Sequence, residues 1–315
     1  MVPVEALRPG VDPRIAGIQH ARWTTLPVGR ERRPHLETVE FDTLDDWSLG
    51  FRGGISDLKG WGEFNGKEVT ELGAGDIRNI RLVADVIAYY RAIELSRNRL
   101  AIARANIAQD PLLQQVGHEL IEGDAVEWLD TWPREKGSKR LTGWVFICLP
   151  QSPEGDDTTD IYDPRAQRLA PYINPWDRYG LTLNAAVLHK LRAIVDPERS
   201  DVFIVNSHRV AEDVRLGVIE WAGWRKHDEI ISKPIHQDPN TGIGWIHRNG
   251  IDDGKRFYEE TPSGGLRYLR ADVAETRRLE AMRDNSPRQN LNVLHQLSFY
   301  WLKPAPSFSL NGKAA

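Results

Sequence analysis

Residues 68–107 constrain the fold of this chain more than any other segment. A strand pattern runs into a turn with Gly73 and Gly75, and a helical segment and a second strand pattern ending at Glu94 follow. Glycine lets a chain turn sharply at a strand end and lets a ligand approach the backbone without a Cβ atom in the way. Glu94 follows Gly75 by nineteen residues (94 − 75), close to the roughly 20-residue offset of an acidic side chain that accepts ribose hydrogen bonds. The segment therefore predicts the nucleotide-binding half of an α/β domain.

The glycine turn does not match the G-x-G-x-x-G pattern of dinucleotide sites. Arg78 stands three residues after Gly75, so no glycine brings the following helix close enough to cradle a pyrophosphate. A nucleoside ligand without phosphates fits this turn better. The alternative is an unrelated α/β turn in which Glu94 is a surface residue.

Composition limits the possible partners. The chain has 315 residues, enough for one large α/β domain with additions, and its 41 basic and 45 acidic residues are mixed along the sequence. No basic patch of the kind that recruits nucleic acid is present, so nucleic acid is not an expected partner. A small-molecule substrate is expected, and the oligomeric state stays open.

Cys148 is the single cysteine, which excludes an intrachain disulfide and a thiolate zinc cage and favours a reducing compartment. The histidines show no metal-ligand spacing such as H-E-x-x-H, so no metal is expected. No apolar segment reaches the roughly 20 residues of a membrane span. We therefore expect a cytoplasmic protein without a membrane partner.

Residues 45–54 combine aromatic side chains, one cation and flexible glycines, and this mixture predicts a loop that folds over a ligand. Trp47 and Phe51 either attract a ligand cation or anchor the segment on the core. Arg52 is interpreted as a surface charge, with a carboxylate clamp as the alternative. The segment belongs to a predicted N-terminal arm and lid, residues 1–60.

Residues 144–149 form a continuous apolar run, as expected of a central parallel strand, and the turn Leu149-Pro150-Gln151 follows it. Ligands of open α/β sheets bind outside the carboxyl ends of the strands, so this turn lies where reacting groups belong. A purely structural turn is the alternative. His208, after the predicted strand 201–206, is interpreted as a satisfied polar residue.

Three divisions of the chain follow from these patterns. After the arm, residues 61–250 are predicted to form the ligand-binding core, with residues 154–180 as a substrate loop. Residues 251–315 are predicted to be a C-terminal addition that packs on the core. Within the core, two β-like pieces between residues 224 and 248 are expected to pair as a hairpin around the turn at 238–242.

The sequence Glu-Leu-Gly-Ala-Gly, which begins at Glu71, resembles the first motif of class I S-adenosylmethionine (SAM) methyltransferases. The resemblance implies an α/β Rossmann-like fold with a mostly parallel seven-stranded sheet, helices on both faces, and SAM as methyl donor or substrate. It also implies that Glu94 holds the ribose and that Asp124 lies beside the adenine. The SAM-binding residues implied are Trp47, Glu71, Gly73, Ala74, Gly75, Glu94, Leu95, Asp124, Ala125, Leu149 and Gln151.

A narrower resemblance extends over residues 45–302. The segments that carry it are Asp46-Trp47-Ser48, Cys148-Leu149-Pro150-Gln151 and Tyr179-Gly180-Leu181. In this order they resemble the methyltransferase module of plant methionine S-methyltransferases and the related bacterial azetidine-2-carboxylate synthases, which cyclise SAM with loss of methylthioadenosine. Asn184 stands where the plant pattern is apolar, and Asp76-Ile77-Arg78 replaces a segment that carries a further glycine there.

Asn184 follows Asp177 by seven residues, and this polar pair could hold the amino-acid end of SAM folded back on itself. The candidate catalytic residues are Asp177, Asn184, Tyr172 and Tyr179, with the tyrosines closing a dry pocket around the sulfonium. The alternative is that Asp177 caps the following helix and that the tyrosines belong to the core. Cyclisation is the favoured reaction. Methyl transfer to a small amine or to a thioether amino acid such as methionine is the alternative, and a non-catalytic SAM-binding module is the third possibility.

Overall fold

The computed structural model describes residues 46–137, 139–149, 151, 176–237, 242–248, 256–284 and 291–306. Predictions for the first forty-five residues, for the loop before residue 176 with Tyr172, and for the last nine residues lie outside the described residues. Contacts between Cα atoms divide the chain into two compact units. One unit comprises Met1–Cys148 and Ile194–Ile204, and the other comprises Leu149–Ala193 and Val205–Ala315.

The strands are β1 (Glu68–Leu72), β2 (Tyr89–Glu94), β3 (Gly117–Glu122), β4 (Leu141–Ile147), β5 (Val195–Ser207), β6 (Trp224–Ile231), β7 (Ile235–His236), β8 (Phe257–Glu260), β9 (Leu266–Leu269), β10 (Leu294–His295) and β11 (Leu297–Pro304). The helices are α1 (Asp46–Gly60), α2 (Arg78–Arg81), α3 (Arg97–Gln109), α4 (Pro111–Gln114), α5 (Ala125–Lys136), α6 (Thr182–Ile194), α7 (Glu212–Trp221), α8 (Gly244–Arg248) and α9 (Ala271–Arg283).

Seven strands form one sheet in the order β3-β2-β1-β4-β5-β11-β6. Pairing is parallel from β3 through β5 and antiparallel between β11 and β6. The predicted α/β fold with a mostly parallel seven-stranded sheet is confirmed. A second sheet has the order β7-β10-β8-β9.

The hairpin predicted between residues 224 and 248 is wrong. The strand that pairs with β6 is β11, from the C-terminal part of the chain, and Gly244–Arg248 form the short helix α8. The physical reason is burial, because Leu297, Phe299 and Leu302 of β11 are almost fully buried in that position. A local turn signal was therefore overridden by a more distant apolar strand.

Residues 46–60 form a helix, so the loop predicted for residues 45–54 is wrong. Glycine costs about 1 kcal/mol in a helix interior, but Phe51, Ile55 and Leu58 recur on one face and are at most 1% exposed. The Phe51 ring lies 5.0 Å from that of Phe203 and 6.2 Å from that of Phe146, centroid to centroid. Phe51 thus anchors the segment on the core, as one of the two alternatives predicted.

Close packing explains one glycine of this helix. A Cβ atom at Gly54 would lie 2.4 Å from Cζ of Phe203, well inside van der Waals contact. Arg52, on the same helix, is 3% exposed, so its interpretation as a surface charge is wrong. Trp47 is half-buried.

The second unit contains α6, α7, β6, β11 and the four-stranded sheet. The indole nitrogen of Trp224 donates a hydrogen bond to the Leu188 carbonyl at 2.9 Å and links β6 to α6. Leu183, Val187 and Leu191 of α6 are buried, as its periodicity predicts. Within the described ranges, no helix combines the length and the apolarity that crossing a membrane requires.

Candidate functional site

The turn after β1 has the backbone geometry that its glycines predict. Gly73 and Gly75 have positive φ angles of 77° and 56°, which glycine adopts without strain. The Ile93 carbonyl accepts hydrogen bonds from the Gly73 amide at 2.9 Å and the Ala74 amide at 3.2 Å. The turn is therefore fixed against the end of β2.

Glu94 joins the end of β2 to the glycine turn. Its Oε2 accepts a hydrogen bond from the Gly75 amide at 2.7 Å, and its Oε1 accepts one from the Ser96 amide at 2.7 Å. The side chain is 6% exposed, whereas Leu95, the next residue, is 41% exposed. A carboxylate has about four lone-pair sites, so Glu94 retains acceptor capacity for hydroxyl groups. Gly75 and Glu94, which are nineteen residues apart in the sequence, are thus in direct contact in the fold.

Ile77, two residues after Gly75, has a positive φ of 64° and is fully buried. The left-handed conformation costs an L-residue roughly 1–2 kcal/mol, and a β-branched residue is seldom found there. The burial of its side chain compensates for this cost. The backbone at Ile77 therefore has the left-handed conformation that glycine usually adopts, although this position is not a glycine.

Glu71 lies beneath the turn and is fully buried. Its Oε1 accepts a hydrogen bond from Nδ2 of Asn79 at 2.6 Å, and its Oε2 accepts one from the Tyr90 hydroxyl at 2.8 Å. Burial raises the pKa of the Glu71 carboxyl to about 7, although the two hydrogen bonds oppose the change. Glu71 thus links the end of β1 to Asn79 of α2 and to Tyr90 of β2, which is a structural role.

The stability of Glu71→Gln relative to the wild type is expected to be higher at pH 8 than at pH 5. A folded-state pKa of about 7, above the ordinary value of 4.5, means that the folded state holds its proton longer than the unfolded state. The free energy of unfolding that the protonated Glu71 carboxyl contributes is fully present below pH 4.5, declines as the pH rises, and is lost above about pH 7. The difference corresponds to up to about 3 kcal/mol.

Urea unfolding of the wild type and Glu71→Gln at both pH values measures this effect. Glu68→Gln makes the same chemical change at a half-buried position of β1 and controls for the loss of one negative charge. A stability difference between Glu71→Gln and the wild type that stays constant from pH 5 to pH 8 would contradict the prediction.

Asp124 begins α5. Its Oδ1 accepts hydrogen bonds from the amides of Val126 at 2.7 Å and Glu127 at 3.1 Å, which is the N-cap arrangement. Asp124 and Ala125 are both 6% exposed. The structure thus assigns Asp124 a capping role, and its expected place beside an adenine stays a prediction.

In the second unit, three buried amide side chains form a network at the end of β5. Nε2 of Gln151 donates to the Val205 carbonyl at 2.8 Å and to Oδ1 of Asn206 at 2.6 Å. Oε1 of Gln151 accepts a hydrogen bond from the Ser207 amide at 2.9 Å. Nδ2 of Asn184, on α6, donates to the same Asn206 oxygen at 2.9 Å.

The backbone fixes the orientation of all three amides. The Ser207 amide can only donate and the Val205 carbonyl can only accept, so the oxygen and nitrogen of Gln151 cannot exchange places. Asn206 must then present its oxygen to Gln151, and Asn184 must present its NH₂ group to that oxygen. Oδ1 of Asn184 is consequently left as a buried acceptor with no hydrogen-bond partner in the described structure. A buried acceptor of this kind is costly unless a ligand donates to it.

Asp177 and Tyr179 lie in a short 3₁₀ helix, Asp177–Tyr179, ahead of α6. The Thr182 hydroxyl, in the first turn of α6, donates to Oδ1 of Asp177 at 3.4 Å. Asp177 and Tyr179 are half-buried, and Leu149 is 7% exposed. Asp177 thus contacts the start of α6, as the capping alternative requires, and the catalytic roles of Asp177 and Tyr179 stay predictions.

His208 is a satisfied polar residue, as predicted. Its Nε2 lies 2.6 Å from the Ser298 hydroxyl oxygen, and its amide donates to the Gln296 carbonyl. Burial, reinforced by the positive charge of Arg215, lowers the His208 pKa to about 4. Among the residues that the structure describes, no group of three or more His, Cys, Asp or Glu side chains is arranged to hold a metal ion.

Sequence patterns missed several residues that complete these clusters. Asn79 and Tyr90 orient Glu71, and Asn206 orients Asn184. Asn206 stands near the carboxyl end of β5, and the rule that places ligands at such strand ends could have singled it out. No sequence signal marks Asn79 or Tyr90.

Comparison with known proteins finds no matching family model and no matching curated protein. Solved structures with a similar fold do exist. That of the YcgJ protein of Bacillus subtilis has 8% identity and a TM-score of 0.44, with 80% of this chain and 98% of that chain covered. Precorrin 8w decarboxylase of Methanobacterium thermoautotrophicum has 10% identity and a TM-score of 0.38, with 81% and 89% covered. Precorrin-6y C5,15-methyltransferase of Geobacter metallireducens has 9% identity and a TM-score of 0.37, with 79% and 85% covered. At these identities and TM-scores the neighbours do not indicate a function for this chain.

Proposed function

We propose that this protein is a SAM-dependent enzyme of small-molecule metabolism and that it cyclises SAM to azetidine-2-carboxylate. The observation that carries the SAM site is the hydrogen bond between Gly75 and Glu94 at 2.7 Å. It brings a carboxylate with spare lone pairs to a glycine turn, where the absence of Cβ atoms allows a ligand to approach the backbone. The turn has no third glycine for a pyrophosphate, which favours a nucleoside whose link to its side chain contains no phosphate.

SAM meets these requirements, since it carries adenosine on a sulfonium. In the proposed reaction the neutral α-amine attacks Cγ of the amino-acid chain, the Cγ–S bond breaks, and sulfur keeps the electron pair as methylthioadenosine. The proton that the α-ammonium group loses beforehand is released. No covalent enzyme intermediate is needed, so positioning supplies most of the rate enhancement.

Asn184 is the residue proposed to orient the amine. Its buried Oδ1 has no partner among the described residues, and the locked amide network prevents it from rotating to present its NH₂ group. An acceptor that cannot become a donor selects an amine N–H. The uncharged amide also avoids stabilising the ammonium form as strongly as a carboxylate would.

Incubating the purified full-length chain with SAM alone tests the proposal. We expect methylthioadenosine and azetidine-2-carboxylate in equal amounts by mass spectrometry. The SAM carboxylate can attack the same Cγ and give homoserine lactone, so methylthioadenosine alone is not diagnostic, and an enzyme-free sample is the control. Intact SAM would contradict cyclisation. S-adenosylhomocysteine formed after methionine or a small amine is added would then indicate methyl transfer. Bound SAM without any product would indicate a non-catalytic module.

Asn184→Leu is expected to lower the rate of azetidine formation by roughly 100-fold, because loss of the hydrogen bond that orients an attacking group has effects on that scale. Leucine is similar in size and removes the unpaired oxygen, so the fold is expected to persist. SAM affinity measured by calorimetry is expected to change much less than the rate. An equal loss of affinity and rate, or an unchanged rate, would contradict the assigned role.

A further inference from the structure

Arg52 is a buried cation that forms no ion pair within the described residues. Its side chain is 3% exposed, and its Nε and Nη1 atoms are buried and have no hydrogen-bond acceptor in the part of the chain that the structure describes. A buried, unpaired charge is strongly unfavourable. Burial lowers the Arg52 pKa to about 10, and the nearby positive charge of Arg78 acts in the same direction. The side chain still carries its charge at neutral pH.

The charges around Arg52 come from the segment that follows the glycine turn. Among the described residues, Asp76 and Arg78 are the charged residues that shift the Arg52 pKa. The Asp76 carboxylate is already engaged by Arg78, with Nε and Oδ2 2.5 Å apart. Arg78 thus has a carboxylate partner, whereas no ion pair of Arg52 is found among the described residues, so an anionic ligand could compensate the charge of Arg52.

The helix that carries Arg52 holds it in place. Phe51 precedes it and packs on the rings of Phe146 and Phe203, while Ile55, one turn later, is fully buried. The backbone at Arg52 is therefore anchored before any ligand arrives. Such preorganisation reduces the entropy lost when a ligand binds.

We propose that Arg52 binds the α-carboxylate of SAM and thereby selects ligands that carry an intact amino-acid chain. This inference rests on the proposed function and extends it to the part of SAM that Glu94 does not serve. A guanidinium group matches a carboxylate with two parallel hydrogen bonds. A carboxylate pairs either with Nε and Nη2 or with Nη1 and Nη2, so binding would give an acceptor to one of the two nitrogens that lack one. It would also hold the carboxylate away from Cγ and so suppress formation of homoserine lactone.

Calorimetry on the full-length protein with SAM, decarboxylated SAM and methylthioadenosine tests this role. We expect the wild type to prefer SAM over decarboxylated SAM by roughly 10- to 100-fold, the range for hydrogen bonds to charged groups. Arg52→Met is expected to remove this preference and to leave methylthioadenosine affinity unchanged. It is also expected to melt at the same temperature as the wild type or higher, because an unpaired buried charge is removed.

Arg97→Met is the matched control, since Arg97 is a mostly exposed cation at the start of α3 and pairs with Glu122. It is expected to keep the preference for SAM. A preference that survives in Arg52→Met would overturn the inference while leaving the proposed function intact, and so would equal weakening of all three ligands in that variant. Failure of the wild type to bind any of the three would overturn the proposed function itself.

Discussion

Glu94→Ala is expected to weaken SAM binding by at least roughly 100-fold. The substitution removes the acceptors for the Gly75 and Ser96 amides together with those proposed for the ribose hydroxyls. Each hydrogen bond to a charged group contributes about 1.5–3 kcal/mol, and a 100-fold change corresponds to about 2.7 kcal/mol. Calorimetric titration with SAM at neutral pH measures the effect.

The neighbouring strand offers a matched control for this variant. Glu122 pairs in register with Glu94 and ends β3 at the same edge of the sheet, but its side chain is more exposed and contacts Arg97. Glu122→Ala is expected to change the SAM affinity by less than about threefold, as is usual for exposed charges. Equal affinities of the Glu94 and Glu122 variants would remove Glu94 from the proposed site.

Gly143→Ala is expected to prevent stable folding. Gly143 lies in β4 with a φ angle of +86°, and a Cβ atom there would lie 2.1 Å from the Glu68 carbonyl oxygen of β1. Backbone atoms in a sheet cannot move aside as a flexible side chain can, so strain and steric overlap add. A loss of about 4 kcal/mol or more is expected, within the largest class of single-substitution effects.

Urea unfolding and the yield of soluble protein measure this loss. Gly60→Ala is the control, because Gly60 ends α1 in open space, with nothing within 4 Å of the added Cβ atom. That variant is expected to match the wild type or exceed it by up to about 1 kcal/mol. Wild-type stability of Gly143→Ala would show that β1 and β4 do not approach each other as described.

The sequence was most informative where local geometry and function coincide. Two glycines after a strand and an acidic residue nineteen positions later marked the turn and Glu94 as parts of one site, and in the structure the Gly75 amide donates to Glu94 because parallel neighbouring strands bring both to the same edge. The helix α1 could not be predicted in this way. Three glycines within five residues (50–54) favour a loop, and only the burial of Phe51, Ile55 and Leu58 makes the helix stable.

Long-range contacts account for the remaining differences. Arg52 looks like a surface charge in a glycine-rich segment, and its burial depends on the packing of the whole helix. The partner of β6 is about seventy residues away in sequence, and a local turn signal is not informative about it. The amide network likewise joins residues 151, 184 and 206, whose proximity no spacing rule predicts.

The hydrogen bonds of Glu94 to Gly75 and Ser96 also bear on the kinetics of binding. The segments that follow β1 and β2 are tied together before a ligand arrives. Binding therefore needs no slow ordering of this frame, and association should approach the rates typical of preformed sites. Differences in affinity among adenosyl ligands would then arise mainly from their dissociation rates, so substitutions in the site would change the residence time of the ligand more than its association rate.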